Sequence, residues 1–330
     1  MYSEGRVCLF RGDAVESTHV FHAVVSDGER VLARVGRHDR LTFYRSASKP
    51  FQALPLVEDG VLERFDLGHE ELALCCASHN SQEEHVRVAR RILDRIGLDE
   101  SMLECGGHWP LRPSEGLRLV DQGRRPGAVE SNCSGKHAGM LALAVHHGWD
   151  PRGYRGPDHP VQKRMAAEVA RWSGTSVSDL VTGVDGCGVM CFAVPLRSIA
   201  DAFARFGRSA ARGEGAAVVA EAMVTHPEMV AGRKRLCTDL MRAEPGIVAK
   251  IGAEGVYGAC HPELGQGVAL KVEDGSMRAA EPALVAVLER LGWLDAPSLA
   301  ALERYRTPVV KNTRGERVGR IEVSLELWAS

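Results

Sequence analysis

The chain has 330 residues, of which 45% are apolar and 25% are charged, a composition typical of globular proteins that excludes collagen-like, coiled-coil and extensively disordered chains. Its 41 basic and 43 acidic residues give a formal charge of −2, and neither sign forms a long block. This balance excludes nucleic acid and anionic membranes as favoured partners.

The first 45 residues alternate as β-strands do. THVFHAVVSDGERVLARVG contains two β-rich runs separated by Asp27-Gly28, a dipeptide that favours a hairpin turn. Helical patterns dominate from Ser48 to about Ile199. The clearest is SQEEHVRVARRILDRIG, in which Ser81 and Glu84 match a capping box.

The strand period returns in GIVAKIGAEGVYGAC and GQGVALKVEDG, and one helix follows in MRAAEPALVAVLERLG. The closing RIEVSLEL alternates as a half-buried strand does, with apolar Ile321, Val323, Leu325 and Leu327. Strands at both ends with helices between them predict an α+β fold with α/β/α layers, whose antiparallel sheet is built from both termini around an inserted helical region. We expect one domain over residues 1–330, with a sheet subdomain at about 1–45 and 245–330 and a helical subdomain at about 46–244.

The N-terminal sequence and the cysteines indicate the compartment. The first 17 residues include Glu4 and lack the apolar segment of a signal peptide, and no apolar run reaches the length of a membrane span. Nine widely spaced cysteines, an odd number, favour reduced thiols over a disulfide framework. We therefore expect a soluble, cytoplasmic protein.

Ser46-Ala47-Ser48-Lys49 is an S-x-x-K motif at a predicted helix start, with Pro50 tolerated in the first turn. Residues three apart lie on one helix face, so Lys49 could take the hydroxyl proton of Ser46 if its amine is neutral. The same residues also suit an N-cap serine and a surface lysine. On this motif alone, the structural interpretation is the commoner one.

Two further triplets favour catalysis. Ser78-His79-Asn80 and Lys250-Ile251-Gly252 follow in the order in which serine β-lactamases and penicillin-binding proteins carry S-x-x-K, S-x-N and K-T-G. Against an enzyme of that kind stand the missing export signal, the lack of an obvious deacylating glutamate motif, and Ile251 in place of threonine. The order therefore indicates the chemistry of a serine nucleophile and a lysine base, without indicating a β-lactam substrate.

Two cysteines lie in segments that could approach a ligand. Cys133 precedes a predicted helix, and Cys187 lies in the glycine-rich GVDGCG. Two thiols could form the soft half of a metal site, but neither C-x-x-C nor H-x-x-x-H spacing is present. From spacing alone, two buried structural cysteines are the better interpretation.

Six motifs in chain order resemble the asparaginase II family of Rhizobium etli type, namely YRSASKPFQ, CASHNS, CGGH, NCSGKHAGML, VDGCG and KIGAEGVYG. Members of this family are amidohydrolases with a serine β-lactamase/glutaminase-like fold. The resemblance therefore implies a serine β-lactamase-like fold, L-asparaginase activity on the small molecule L-asparagine, and a homodimer. The charge balance separately predicts no nucleic-acid or membrane partner.

The resemblance also assigns roles to residues. It implies two catalytic Ser-Lys pairs, Ser46 with Lys49 and Ser78 with Lys250. It implies zinc, structural or substrate-organising, with the ligands Cys133, Lys136 and Cys187, of which the lysine must be neutral to bind metal. We place the remaining candidates in the substrate site: Arg45, Asn80, Asp185 and His137.

Two alternatives stay open. The first is a glutaminase or another serine amidase of penicillin-binding type, because one methylene changes discrimination by only about 1–3 kcal/mol. The second is a zinc-binding or amino-acid-binding module on a degenerate S-x-x-K fold. Ammonia release from asparagine separates an enzyme from such a module.

Overall fold

The computed structural model describes residues 4–329, which divide into two compact units. The sheet unit contains the described chain up to Ala47, Val194–Arg208, and the chain from Asp239 onward. The helical unit contains Ser48–Ala193 and Ser209–Thr238. The segment 194–208, which the helical pattern placed in the inserted region, thus belongs with the sheet.

The strands of the described chain are β1 (Gly5–Arg11), β2 (Ala14–Ser26), β3 (Val31–Val35), β4 (Leu41–Phe43), β5 (Val181–Val184), β6 (Met190–Pro195), β7 (Val248–Gly252), β8 (Val256–His261), β9 (Gln266–Val272), β10 (Val309–Lys311), β11 (Arg317–Ser324) and β12 (Trp328–Ala329). Nine of them form an antiparallel sheet in the sheet unit, in the order β10-β11-β1-β2-β9-β8-β7, with β3 between β2 and β12.

This sheet confirms the predicted α+β class, because the first strand of the chain pairs with a strand near its end. Val7 of β1 lies opposite Val323 of β11. The predicted hairpin at Asp27-Gly28 is present between β2 and β3. The final strand is shorter than the alternation suggests, since β11 ends at Ser324 and leaves Leu325 and Leu327 outside it.

The α-helices of the described chain are α1 (Lys49–Glu58), α2 (Val61–Arg64), α3 (His69–Cys75), α4 (Glu83–Arg95), α5 (Pro113–Asp121), α6 (Ser134–His147), α7 (Pro160–Ser173), α8 (Leu196–Ala211), α9 (Gly215–Thr225), α10 (Pro227–Val230), α11 (Leu236–Ala243), α12 (Met277–Arg290), α13 (Ala296–Ala301) and α14 (Glu303–Arg306). Within residues 4–329, no helix combines the length and the apolar character that crossing a bilayer requires.

The predicted capping box of α4 is wrong by one residue. The N-cap is Gln82, and its backbone N–H donates to Nδ1 of His85 at 3.0 Å. Ser81 cannot serve as the cap, because it has a φ of +61° and its hydroxyl donates to the carbonyl of Glu130. A tertiary hydrogen bond therefore removes the residue that the local pattern selects.

Helix α8 explains why segment 194–208 belongs to the sheet unit. A Cβ at Gly258 of β8 would lie 1.9 Å from the ring of Phe203, and one at Gly267 of β9 would lie 2.4 Å from the carbonyl oxygen of Ala200. Helix and sheet therefore approach more closely than side chains on these strands would allow. Helix α12 also packs against the sheet, and the strands β7 to β9 are buried almost throughout.

In the helical unit, α6 is the central helix and is buried from Ser134 to Ala144. Glycine allows α3 to approach it, because a Cβ at Gly135 would lie 2.2 Å from the carbonyl oxygen of Leu74 and one at Gly139 would lie 2.8 Å from Sγ of Cys75. This close packing brings the start of α6 to the end of α3, where the candidate site is built.

Replacing Gly267 by alanine should destabilise the protein. The new methyl group would lie 2.3 Å from the backbone nitrogen of Ala204, and backbone cannot rotate away as a side chain can. We expect the free energy of unfolding in urea to fall by about 1–3 kcal/mol, the usual cost of overpacking.

Gly116 offers a matched control. It lies inside α5, where an added methyl group would be 3.7 Å from Trp109. Gly116→Ala should keep or raise stability, because alanine favours helix by up to about 1 kcal/mol over glycine. A Gly267→Ala protein as stable as the parent would contradict the packing of α8 on β9.

Candidate active site

The turn that carries Ser46 belongs to the sheet unit. Residues Arg45–Ser48 form one turn of 3-10 helix, and Arg45 has a φ of +50°, a left-handed conformation that costs a non-glycine residue about 1–3 kcal/mol. Ala47 N–H donates to the carbonyl of Tyr44 at 3.1 Å, and a Cβ at Gly252 would lie 2.5 Å from that same oxygen. The Ser46 turn is therefore fixed against the end of β7, and Ser46 itself is half-buried.

Lys250 leaves β7 on the face that approaches this turn. Side chains two residues apart on a strand point the same way, and Gly252 faces the carbonyl of Tyr44. Lys250 is fully buried, and its Nζ donates to the carbonyl of Ile251 at 3.0 Å. The K-x-G triplet thus combines a lysine with the glycine that lets the Ser46 turn come close.

Lys49 is buried in the helical unit, at the first residue of α1. Its Nζ donates to the carbonyl of Ala77, to Oγ of Ser78 at 3.1 Å and to Sγ of Cys133 at 3.3 Å. None of these three acceptors is a carboxylate. The structure therefore brings Lys49 together with Ser78, which the sequence analysis assigned to the other Ser-Lys pair.

The three predicted metal ligands lie together. Cys133 is the N-cap of α6, Lys136 lies one turn later, and Cys187 lies in the turn between β5 and β6. Nζ of Lys136 donates to Sγ of Cys187 at 3.1 Å, and the two thiols share a hydrogen bond. Both cysteines are buried, as expected, and the packing of the chain brings them together although they are far apart in sequence.

The charges of this cluster depend on one another. The hydrogen bond from Cys187 lowers the pKa of Cys133 well below that of a free thiol, with help from the Lys49 and Lys136 ammonium groups, and the same bond raises the pKa of Cys187. Burial lowers the pKa of Lys136, but the two sulfurs and the carboxylate of Asp185 raise it above its usual value. The cluster therefore favours a thiolate on Cys133 beside an ammonium group.

The donor set fits zinc. Zinc takes sulfur and nitrogen ligands in tetrahedral sites, and three protein ligands leave a fourth position for an exogenous group. Two sulfurs and one amine converge here, and the lysine would have to lose its proton on binding, as thiols do. Within the described range 4–329, no three His, Cys, Asp or Glu side chains are grouped as a metal site, so the set depends on the lysine.

Asp185 and Asn80, two predicted substrate residues, have different surroundings. Asp185 begins a tight turn in which Gly188 N–H donates to its carbonyl at 2.8 Å, and its carboxylate is half-exposed. Asn80 is buried, accepts from Nη1 of Arg235 at 2.9 Å and donates to the carbonyl of Arg233 at 3.1 Å. In this structure Asn80 therefore holds the segment that contains both arginines.

The fourth substrate candidate, His137, is fully buried one residue after Lys136. Burial and the Lys136 and Lys49 ammonium groups hold its pKa well below 6.5. Its Nδ1 lies 2.6 Å from the hydroxyl of Tyr154. Sequence analysis missed Tyr154, which lies in the loop sequence PRGYRGPDHP and has no motif around it.

Two stacked histidines support the segment around Ser78. The rings of His79 and His85 lie 4.8 Å apart at 10°. Each Nδ1 accepts a backbone N–H, from Ser81 and Gln82 respectively, so each Nε2 carries the proton and donates, to Ser134 Oγ and to the Glu228 carbonyl. Both rings are neutral, because a second ring proton would displace the backbone donor.

Comparison with known proteins identifies a family. The model of the family described as L-asparaginase II matches residues 7–323. No curated protein matches the chain significantly.

Among solved structures, a crystal structure of Mglu is 15% identical with a TM-score of 0.38, over 83% of this chain and 67% of that one. In two other Mglu structures the chain covers 59% and 62% of their length. A β-lactamase from Mycobacterium bovis is 13% identical with a TM-score of 0.37, over 86% of this chain and 94% of that one. A Bacillus subtilis glutaminase, in covalent complex with 5-oxo-L-norleucine, is 12% identical with a TM-score of 0.35, over 87% of each chain.

The histidine stack should make stability depend on pH. Burial lowers the pKa of His85 to about 4, whereas an unfolded histidine titrates near 6.5. Between these values the unfolded chain binds a proton that the folded His85 does not, so the free energy of unfolding falls as the pH falls through this window. From about pH 7 to pH 5, His85 should contribute a loss of about 2 kcal/mol, measured by urea denaturation.

His85→Asn keeps an acceptor for Gln82 N–H and removes the titration, so its stability should change less between the two pH values. The control is His226→Asn, which replaces a partly exposed histidine elsewhere in the same unit. An equal pH dependence in the parent and in His85→Asn would refute the neutral, buried His85.

Proposed function

Since the chain belongs to the L-asparaginase II family and is therefore an amide hydrolase, we propose that it hydrolyses the side-chain amide of L-asparagine to L-aspartate and ammonia. The observation that carries the proposal is the buried Lys49 amine, 3.1 Å from the Ser78 hydroxyl and with no carboxylate among its three acceptors. A lysine in such surroundings can exchange protons with a serine.

In the proposed first step, Lys49 in its neutral form accepts the hydroxyl proton of Ser46 while Ser46 Oγ bonds to the amide carbon. The two residues are three apart at the start of a helix, the spacing that places side chains on one face. The backbone N–H groups of Ser46 and of Ala253, just after Gly252, would donate to the developing oxyanion. The fixed turn at Ser46 supports this role, because preorganised donors need no rearrangement during the reaction.

In the proposed second step, the carbon–nitrogen bond breaks and the nitrogen leaves as ammonia. The proton it needs passes from Lys49 through the Ser78 hydroxyl. The 3.1 Å hydrogen bond between Lys49 Nζ and Ser78 Oγ supports this path. Lys250 acts with Ser78 on the leaving group, as the resemblance implies. Water then cleaves the β-aspartyl ester and restores the Ser46 hydroxyl.

We further propose that Cys133, Lys136 and Cys187 hold a zinc ion near the substrate. When bound, zinc would polarise a polar group of the substrate placed at its open position. The hydrolytic steps above depend on the serines and lysines alone.

Arg45 and Asp185 would bind the charged ends of the amino acid by ion pairing. A cytoplasmic homodimer stays a prediction.

Substitution of Ser46 by alanine should lower ammonia release from L-asparagine by at least about 10³-fold, the scale on which loss of a nucleophile acts. Ser48→Ala is the matched control, because Ser48 lies in the same turn and its side chain points away from that of Ser46. The measurement is a coupled ammonia assay with L-asparagine and L-glutamine in parallel, with circular dichroism to check the fold.

Full activity of Ser46→Ala would exclude Ser46 as the nucleophile. An acyl adduct trapped by acid quenching and mapped to Ser78 would instead make Ser78 the nucleophile and Lys49 its base. Faster release from glutamine than from asparagine would assign the chain a glutaminase activity, and release from neither would favour a binding module.

Replacing Cys133 by alanine should lower zinc affinity by roughly 100-fold or more, because it removes one of three proposed ligands. Zinc per chain is measured by mass spectrometry of the metal after dialysis against a weak chelator. Cys260→Ala is the control, since Cys260 is a buried thiol of β8 in the sheet unit. An unchanged zinc content in Cys133→Ala, or a parent protein that binds no zinc, would refute the metal site.

A further inference from the structure

Helices α4 and α5, with the chain that follows α5, border a groove in the helical unit whose residues the proposed mechanism does not use. Its volume is about 520 Å³, within the range of small-molecule sites. Half of its lining side chains are arginines, namely Arg87, Arg90, Arg91, Arg118 and Arg124. A groove of this size with five guanidinium groups is a candidate site for an anion.

The sequence of α4 crowds three of these arginines together. Arg87 is followed by Arg90 and Arg91 at the three- and four-residue spacings that make side chains neighbours on a helix. Arg87 and Arg91 share the carboxylate of Glu70, which is 2.8 Å from Arg87, and Arg91 also contacts Glu71. Like charges at these spacings destabilise a helix, and a bound anion would relieve their repulsion.

The ion pairs of the groove leave arginine donors for a ligand. A guanidinium group has five N–H donors. Arg87 and Arg90 each use one of them on a carboxylate. Arg118 uses two, at 3.3 and 3.4 Å, whereas a strong charge-assisted hydrogen bond measures about 2.7–2.9 Å. Over residues 4–329, the other N–H groups of these three side chains have no protein acceptor.

Three acidic residues also line the groove, and their positions limit the repulsion of an anion. The buried carboxylate of Glu130 already accepts from Arg124 at 2.6 Å and from the backbone N–H of Gly127 at 2.8 Å. The side chain of Glu83 is 74% exposed, and Asp94 is exposed as well. Water and salt therefore screen the two acidic groups that are not held by donors inside the protein.

The remaining carboxylates that pair with these arginines are outside the groove. Glu70, Glu100 and Glu115 hold guanidinium groups but do not line it. An anion in the groove would contact the guanidinium groups directly and would be farther from these carboxylates. Because the Coulomb energy falls with distance, its attraction to the arginines would exceed its repulsion from their partners.

The lining also indicates the chemistry of the ligand. Val86 is its one apolar side chain, and among the described residues no aromatic ring lines the groove. A ligand with a flat ring would therefore find no stacking partner. Guanidinium groups bind phosphate and carboxylate oxygens in pairs. The groove thus fits a compact ion with two or more phosphoryl or carboxylate groups.

We propose that the groove between α4 and α5 binds a compact polyanion, a diphosphate or a polycarboxylate, through arginines of both helices. No residue of the proposed hydrolytic mechanism and no proposed zinc ligand lines this groove. The proposal therefore stands or falls independently of the hydrolysis of asparagine.

Isothermal titration calorimetry of the full-length protein tests the site, with inorganic pyrophosphate and citrate as separate probes. We expect at least one of them to bind with a Kd below about 1 mM at an ionic strength of about 0.15 M, and more weakly as sodium chloride is added. Binding of pyrophosphate alone would assign a phosphoryl ligand, binding of citrate alone a polycarboxylate, and binding of both would support recognition by charge. Binding of neither would overturn the proposal.

Two substitutions locate the bound ion. Arg118→Gln and Arg87→Gln should each weaken binding by about 10-fold or more, because each removes a charged donor group. Both variants should fold, since Arg118 contacts its carboxylates only at long distances and Glu70 keeps its contact with Arg91. Thermal unfolding of each variant checks this expectation.

Arg152→Gln is the matched control, since it removes the same charge from an exposed arginine of the helical unit that does not line the groove. It should bind the probe as the parent does. Equal losses in all three variants would mean attraction by overall charge alone. Parent-like binding in Arg118→Gln and Arg87→Gln would place the ion elsewhere. Either result would overturn the groove as the site.

Discussion

Burial of the Lys49 amine is the constraint on which the helical unit depends. A buried ammonium group costs several kcal/mol, on the order of a lost ion pair, unless its hydrogens find acceptors. The acceptors here are the Ala77 carbonyl, the Ser78 hydroxyl and the Cys133 sulfur, which come from the end of α3 and the start of α6. Helix packing and site chemistry are therefore one problem, and the glycines of α6 that admit α3 serve both.

The titratable groups of the site influence one another. The hydrogen bond from Cys187 lowers the pKa of Cys133, the two sulfurs and Asp185 raise the pKa of Lys136, and burial lowers the pKa of His137. In such a cluster, a change in one group alters the protonation of the others. At the proposed zinc site, the metal would take the place of the proton on Cys187 and of one proton on the Lys136 amine.

Local patterns predicted the large features of the fold and failed where distant residues intervened. Alternation found the sheet strands at both ends of the chain, and Asp27-Gly28 found the first hairpin. The capping box failed because the Ser81 hydroxyl is used by Glu130, far along the chain. Segment 194–208 was assigned to the wrong neighbours, since helical periodicity shows that one face is buried but not which surface covers it.

The sequence by itself determined the fold class and predicted candidate site residues, because strand alternation, turns and motif order are properties of short stretches of chain. Only the tertiary structure decided how those residues combine. It places Lys49 on Ser78 and on Cys133, 84 residues away, and Tyr154 on His137. Such contacts arise from the packing of whole helices, whose relative positions depend on many weak side-chain contacts that no single motif encodes.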